Sequence, residues 1–99
     1  MKQQIVKNAT VITRHNSLIE YMKEVNLIDD SAVIISHATP EDVKGKDVIG
    51  ILPHSLSCLT KTYTEVPLIL PPEKRGVELT IEDVRKFAKE PTTFIVSII

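Results

Sequence analysis

Apolar positions along the chain fall into short continuous runs separated by stretches with helical spacing. Ala9-Thr10-Val11-Ile12-Thr13 is a β-branched run and reads as a buried strand. Leu18, Ile19, Tyr21, Met22, Val25 and Leu27 then recur every three or four residues with charges between them, which predicts an amphipathic helix over about 16–25. Asp29-Asp30 ends that pattern, and Ala32-Val33-Ile34-Ile35 gives a second strand. Thr39-Pro40-Glu41-Asp42 has the cap, the proline and the acidic first turn of a helix start, and Gly45 limits that helix to one turn. Asp47-Val48-Ile49-Gly50-Ile51 is a third strand, and Pro53 opens a helix bearing Leu56, Leu59 and Tyr63. Val66-Pro67-Leu68-Ile69-Leu70 predicts a fourth strand, with Pro67 at its start or on an edge. Thr80-Ile81-Glu82-Asp83 caps a last helix reaching about Lys89, and Phe94 to Ile99 predicts a fifth strand.

Strands that are apolar throughout belong to a sheet covered on both faces. Strands alternating with helices pair in parallel through right-handed crossovers. The expected fold is therefore α/β, a compact Rossmann-like sandwich with a mainly parallel sheet of about five strands flanked by helices. With 99 residues, the chain is expected to form one domain over 1–99. Its 42 % apolar content is enough for a core, so disorder is not expected.

Charge and the remaining composition narrow the function. Twelve basic residues against thirteen acidic ones leave a net charge of −1, which excludes sequence-independent binding to long nucleic acid. No apolar run approaches the roughly 20 residues that span a membrane. Met1-Lys2-Gln3-Gln4 has no secretory character, so a soluble, cytoplasmic protein is expected. Cys58 is the only cysteine, which leaves no internal disulfide. It reads as a small buried residue on a helix.

Open parallel sheets bind ligands beyond the carboxyl ends of their strands, where loops and helix N-termini converge. Thr13, Arg14, His15, Asn16 and Ser17 follow the first predicted strand, and Ser36 and His37 follow the second. Leu52, Pro53, His54 and Ser55 follow the third; Pro71, Pro72, Glu73, Lys74, Arg75 and Gly76 follow the fourth. All three histidines fall in these segments. Each segment also has an ordinary structural use. His15, Asn16 and Ser17 suit a helix cap, as do His54 and Ser55. Ser36-His37 suits loop hydrogen bonding, and the Pro71–Gly76 stretch suits a surface turn. Arg85, Lys86 and Lys89 of the last helix read as a solvated face. There is no GxGxxG and no GxxxxGK[ST], so no dinucleotide cofactor and no P-loop are indicated. No acidic residue closely follows the first or third strand, against a magnesium phosphatase. The histidines have no metal-ligand spacing, although three of them leave a metal-dependent phosphodiesterase open.

Taken in order, four pieces carry a family resemblance: Thr13-Arg14-His15 with Ile19-Glu20-Tyr21; Val33-Ile34-Ile35-Ser36-His37 with Pro40 and Asp42-Val43; Gly45 through Pro53; and Leu70 through Thr80. Together they resemble the small CRISPR-associated accessory family numbered sixteen in the Csx series, found with type III systems, over roughly residues 10–85. The chain departs at Asn16-Ser17, where the family has Pro-Gly. It departs again at His54, which follows Leu52-Pro53 directly and makes Ser55 the equivalent polar position.

The resemblance implies a ring nuclease that cleaves cyclic oligoadenylate, chiefly cyclic tetra-adenylate, and so ends an antiviral signal. It implies catalysis without metal or cofactor, by attack of the ligand's own 2′-hydroxyl on the adjacent phosphate. It also implies a CARF-like C2 homodimer with the ring across its axis. For that chemistry Arg14 is expected to hold phosphate, and His15 and His37 to transfer protons. Ser36, Ser55 and the helix start after Pro53 are expected to donate to a second phosphate. Glu73, Arg75 and Gly76 are expected to close over the ring or contact adenine, and Thr13, Asn16, Ser17 and His54 complete the expected binding set. A sensor or sponge with the same pocket and no turnover is the rival reading.

Overall fold

The computed structural model describes residues 5–99. Its elements in order are β1 (Thr10–Ile12), α1 (Asn16–Glu24), β2 (Val33–Ile35), α2 (Pro40–Val43), β3 (Asp47–Gly50), α3 (His54–Ser57), β4 (Thr62–Glu65), a 3₁₀ turn (Pro72–Lys74), α4 (Ile81–Phe87) and β5 (Thr92–Phe94). The strands form one sheet in the order β2-β1-β3-β4-β5, parallel except for the antiparallel β4–β5 pair. The chain is a five-stranded, mostly parallel α/β sheet flanked by helices. Travel across the sheet reverses after β2, while parallel crossovers keep one hand, so α1 and the α2–α3 pair cover opposite faces. Accordingly α1 packs against α4, and α2 against α3. No helix among the described residues is long and apolar enough to cross a membrane.

Local chemistry sets the helix ends. Thr39 and Asp42 form a capping box at α2, with the Asp42 amide donating to Thr39 Oγ1 and the Thr39 amide donating to Asp42 Oδ2 at 2.9 Å. Thr80 and Asp83 do the same at α4. Helix α1 stops one residue after its C-cap, because Asn26 takes a left-handed conformation with φ of 61°. The Asn26 amide then donates to the Lys23 carbonyl and the Leu27 amide to the Met22 carbonyl, a Schellman closure that tucks Leu27 into the core. That core joins Ala9, Val11, Met22, Leu27, Ile28, Ile49 and Val66, with Leu18 and Ile19 packed on it.

Three expectations are corrected. The fourth strand is Thr62–Glu65 rather than 66–70: Thr62, Tyr63 and Thr64 are strong strand formers, and Tyr63 belongs to that strand and not to the preceding helix. The 66–70 run pairs instead with the end of α4, through Ile69 N–H to the Phe87 carbonyl, Lys89 N–H to the Pro67 carbonyl and a Leu68–Ala88 bridge. Second, β5 is Thr92–Phe94 rather than 94–99: it pairs with Glu65, Thr64 and Tyr63, and Ile95, Ile98 and Ile99 beyond it are exposed. Third, only the central strands are covered on both faces. β2 is an edge strand, and Val33 and Ile34 are 56 % and 42 % exposed. Arg85, Lys86 and Lys89 are exposed, as expected of a solvated face, and Arg85 in addition grips the Glu24 carboxylate with Nε and Nη2, joining α4 to α1.

Two polar details hold the sheet's ends. Asp29 accepts from both the amide and the hydroxyl of Ser31 and pairs with Lys7, while Ser31 Oγ accepts from the Asn8 amide. The Ser31 bonds, with Lys7 after them, lower the Asp29 carboxyl from its ordinary 3.8 to about 2. At the other end, Gly50 has φ of 155°, and a Cβ there would lie 2.6 Å from the Ile12 carbonyl oxygen.

Gly50→Ala is therefore expected to cost about 2 kcal/mol of stability in urea titrations, since neither backbone can move aside without breaking the β1–β3 ladder; an unchanged midpoint contradicts this. Asp29 contributes stability above pH 3.8 that is lost as pH falls toward 2. The melting-temperature advantage of wild type over Asp29→Asn should hold near neutrality and shrink across that window. A gap that stays constant to pH 2 would contradict the assignment.

Candidate active site

The reversal between β1 and β3 is a topological switch point, where the loops leaving two adjacent parallel strands diverge and open a crevice beyond their carboxyl ends. A cleft of about 590 Å³ opens there. Val11, Ile12, Ile49 and Gly50 form its floor, Leu18 and Met22 of α1 one wall, and Val66, Leu68 and Leu70 the other, with Ile51 at the mouth. Thr13, Arg14, His15 and Ser36 supply its polar end. This volume is within the roughly 300–1,000 Å³ of small-molecule sites, and an apolar body with one polar end is their usual character.

Backbone pairing assembles the polar end. Thr13 N–H donates to the Ile35 carbonyl at 3.1 Å, which extends the β1–β2 register by one residue and sets Arg14 beside the loop after β2. Arg14 Nη2 then reaches His37 Nδ1 at 3.5 Å. Guanidinium nitrogens only donate, so Nδ1 is the acceptor and the imidazole proton sits on Nε2. Both side chains are exposed, as is His15. His15 is the N-cap of α1 by backbone position, yet neither it nor its neighbours caps the helix through a side chain; the His15 amide instead donates to Thr13 Oγ1 at 3.1 Å. The side-chain capping role open to His15, Asn16 and Ser17 is thus not used among the described residues; His15 lines the cleft, and Asn16 and Ser17 lie outside its lining.

The other expected residues are placed differently. Pro53 is the N-cap of α3, and His54 and Ser55 begin that one-turn helix, exposed and next to the cleft's mouth in sequence but outside its lining. Glu73 lies in the 3₁₀ turn and Arg75 and Gly76 just after it, also exposed and outside the lining. With β4 ending at Glu65, the apolar 66–70 segment takes the wall and carries the Pro71–Gly76 turn away from it. Lys74 is engaged with Asp83 at 3.3 Å. Sequence reasoning missed the apolar lining, because Leu18, Met22, Leu68 and Leu70 carry the same signal as core residues. Among the described residues, no three His, Cys, Asp or Glu side chains are grouped to hold a metal ion. Cys58 is half-buried at the end of α3, with Sγ against the Ser55 carbonyl.

Residues 10–97 match the family described as "Putative CRISPR-associated protein (Cas_VVA1548)". The chain belongs to this CRISPR-associated family. The match runs from the first strand past the last and so spans every element that builds the cleft. No curated protein and no solved structure matches this CRISPR-associated chain.

The Arg14–His37 contact makes a direct prediction. Long-range ¹H–¹⁵N spectra in mildly alkaline solution should show His37 as the Nε2–H tautomer, and Arg14→Ala should shift it toward a mixture of tautomers. Identical His37 ring signals in both proteins would show that the two side chains do not interact.

Proposed function

We propose that this chain is a metal-independent ring nuclease that binds cyclic oligoadenylate, chiefly cyclic tetra-adenylate, and converts it to linear di-adenylate, ending an antiviral signal in the cytoplasm. The observation that carries the reading is the gathering of Arg14, His15 and Ser36 at one end of a switch-point cleft, with His37, outside the lining, 3.5 Å from Arg14. Membership of a CRISPR-associated family supports it. In this reading the fold is a small Rossmann-like, CARF-like unit.

The chemistry asks little of the protein beyond placement. The ring's 2′-oxygen attacks the adjacent phosphorus, an O2′–P bond forms, the P–O5′ bond breaks, and the products end in a 2′,3′-cyclic phosphate and a 5′-hydroxyl. Holding the reacting atoms in line supplies most of the acceleration. Arg14 offers a planar fork to the phosphate oxygens where charge gathers. His15, with a ring nitrogen free, accepts the 2′-hydroxyl proton. His37 takes up a second proton from solvent as the phosphate draws Arg14 away from Nδ1, and the resulting imidazolium protonates the departing 5′-oxygen, returning to the neutral ring. Ser36 and Thr13 hydroxyls orient the phosphate. A cleft of about 590 Å³ takes a part of the ring, and a C2 dimer presents the same groups twice to a ligand of matching symmetry.

Single-turnover cleavage of radiolabelled cyclic tetra-adenylate in EDTA tests the proposal, with wild type beside Arg14→Ala and His37→Ala. Linear di-adenylate should appear, at least roughly tenfold more slowly in one variant, or about 1.4 kcal/mol of barrier. Tight binding without cleavage would make the chain a sensor or sponge, and loss of cleavage in EDTA would make it a metal-dependent phosphodiesterase.

A further inference from the structure

Tyr63 is built unlike the other strand residues. It is 5 % exposed and pairs in register with Val48 on one side and Phe94 on the other. Val11 and Ile49 share the face covered by α1, so by alternation Val48 and Tyr63 lie on the opposite face from the cleft's apolar walls. Its hydroxyl nevertheless reaches the far end of β3, where Oη accepts from the Leu52 amide at 2.7 Å. Pairing of β3 with β1 ends at Gly50, and its pairing with β4 ends at Ile49. Beyond those residues the backbone has no ladder, and Tyr63 takes up the Leu52 N–H that a further strand residue would have bonded. Burial raises the phenol's pKa; the bond from the Leu52 amide opposes this and the Glu65 carboxylate adds to it, with a net upward shift that leaves the hydroxyl protonated.

We propose that Tyr63 is a positioning residue for the cleft: from the opposite face of the sheet, its hydroxyl fixes the Ile51–Pro53 loop at the cleft's mouth. The loop it holds carries Ile51, 82 % exposed at the mouth, and leads into Pro53, His54 and Ser55. The loop's side chains are apolar and Pro53 lacks an N–H. The Pro53 carbonyl ties its far end to the Leu56 and Ser57 amides of α3, and among the described residues the Tyr63 hydroxyl ties the loop back to the sheet. Arg14 and His37 belong to the ends of β1 and β2, across the cleft from this loop, and do not depend on it. The effect of Tyr63 is therefore on how ligand seats and not on the groups that react. As regards ligand, this rests on the function proposed above.

Tyr63→Phe keeps the buried ring and removes the bond alone. One hydrogen bond is worth roughly tenfold in an equilibrium, so amide exchange at Leu52 should quicken about tenfold with the change confined to residues 51–54. The dissociation constant for cyclic tetra-adenylate in EDTA should rise about fivefold, while the single-turnover rate at saturation stays within about twofold of wild type. A purely structural tyrosine would quicken exchange across the whole sheet and lower the melting temperature, with affinity following the folded fraction; that result overturns the proposal, as does unchanged exchange at Leu52. A wild type that neither binds nor cleaves the ring overturns the function reading alone, and the exchange pattern still decides whether Tyr63 fixes the loop.

Discussion

The parallel pairing of β1 with β3 is the constraint on which the site depends. Val11 and Ile49 stand side by side in it and anchor the apolar core, and Ile12 lies opposite Gly50 at its carboxyl end. The absence of a side chain at Gly50 lets the two backbones stay close to the last residue before they part. They part because the chain goes to β2 on one side and to β4 on the other. A crevice must open where neighbouring parallel strands send their loops in opposite directions, and its floor is as rigid as the ladder beneath it. The polar end is set by the same ladder, since the bond from Thr13 to Ile35 decides where Arg14 meets His37.

The helices and edges follow from this centre. α1 covers the face carrying Val11 and Ile49 with Leu18, Ile19 and Met22, and its Schellman turn at Asn26 returns the chain toward β2. The Arg85–Glu24 pair ties α4 to that cover from outside, where solvent screens it. Its role is registry more than stability. Edge strand β2 and the residues after β5 are left with large apolar side chains in water. Their exposure is a feature of a sheet too short for its two helical layers to cover.

How much of this could be read from the sequence depended on whether the signal was local. Capping boxes at Thr39 and Thr80, the β-branched strands at 10–12 and 47–50 and the spacing of α1 are set by neighbours in the chain, and each element lies where its residues predict it. The fourth strand was misplaced because Val66-Pro67-Leu68-Ile69-Leu70 is more apolar than Thr62-Tyr63-Thr64-Glu65. Apolar content follows burial and not pairing: in the 66–70 run Val66 enters the core, Leu68 and Leu70 line the cleft and Ile69 is exposed, while the backbone pairs with α4's end without joining the sheet. At the site, Thr13, Arg14, His15, Ser36 and His37 were legible because the strands they follow were legible. The Glu73–Gly76 turn inherited the error in β4. The Leu52–Tyr63 bond spans 11 residues between a backbone amide and a core side chain, and no periodicity encodes such a pair.

Electrostatics gives the last step of the argument. The chain's net charge is −1, so no field from the molecule as a whole draws an anion toward it. Attraction has to be local. Four cations are paired with carboxylates: Lys7 with Asp29, Lys23 with Asp30, Lys74 with Asp83, and Arg85 with Glu24 and Glu82. Arg14, at the cleft's polar end, contacts instead an acceptor nitrogen of the His37 ring. Its charge is thus oriented without being neutralised, on an exposed rim where desolvation costs little. A phosphate arriving there meets a guanidinium whose fork is already aimed and an imidazole N–H held beside it. That combination binds a phosphodiester more strongly as negative charge builds on its oxygens, which is the difference between ground state and transition state that catalysis requires.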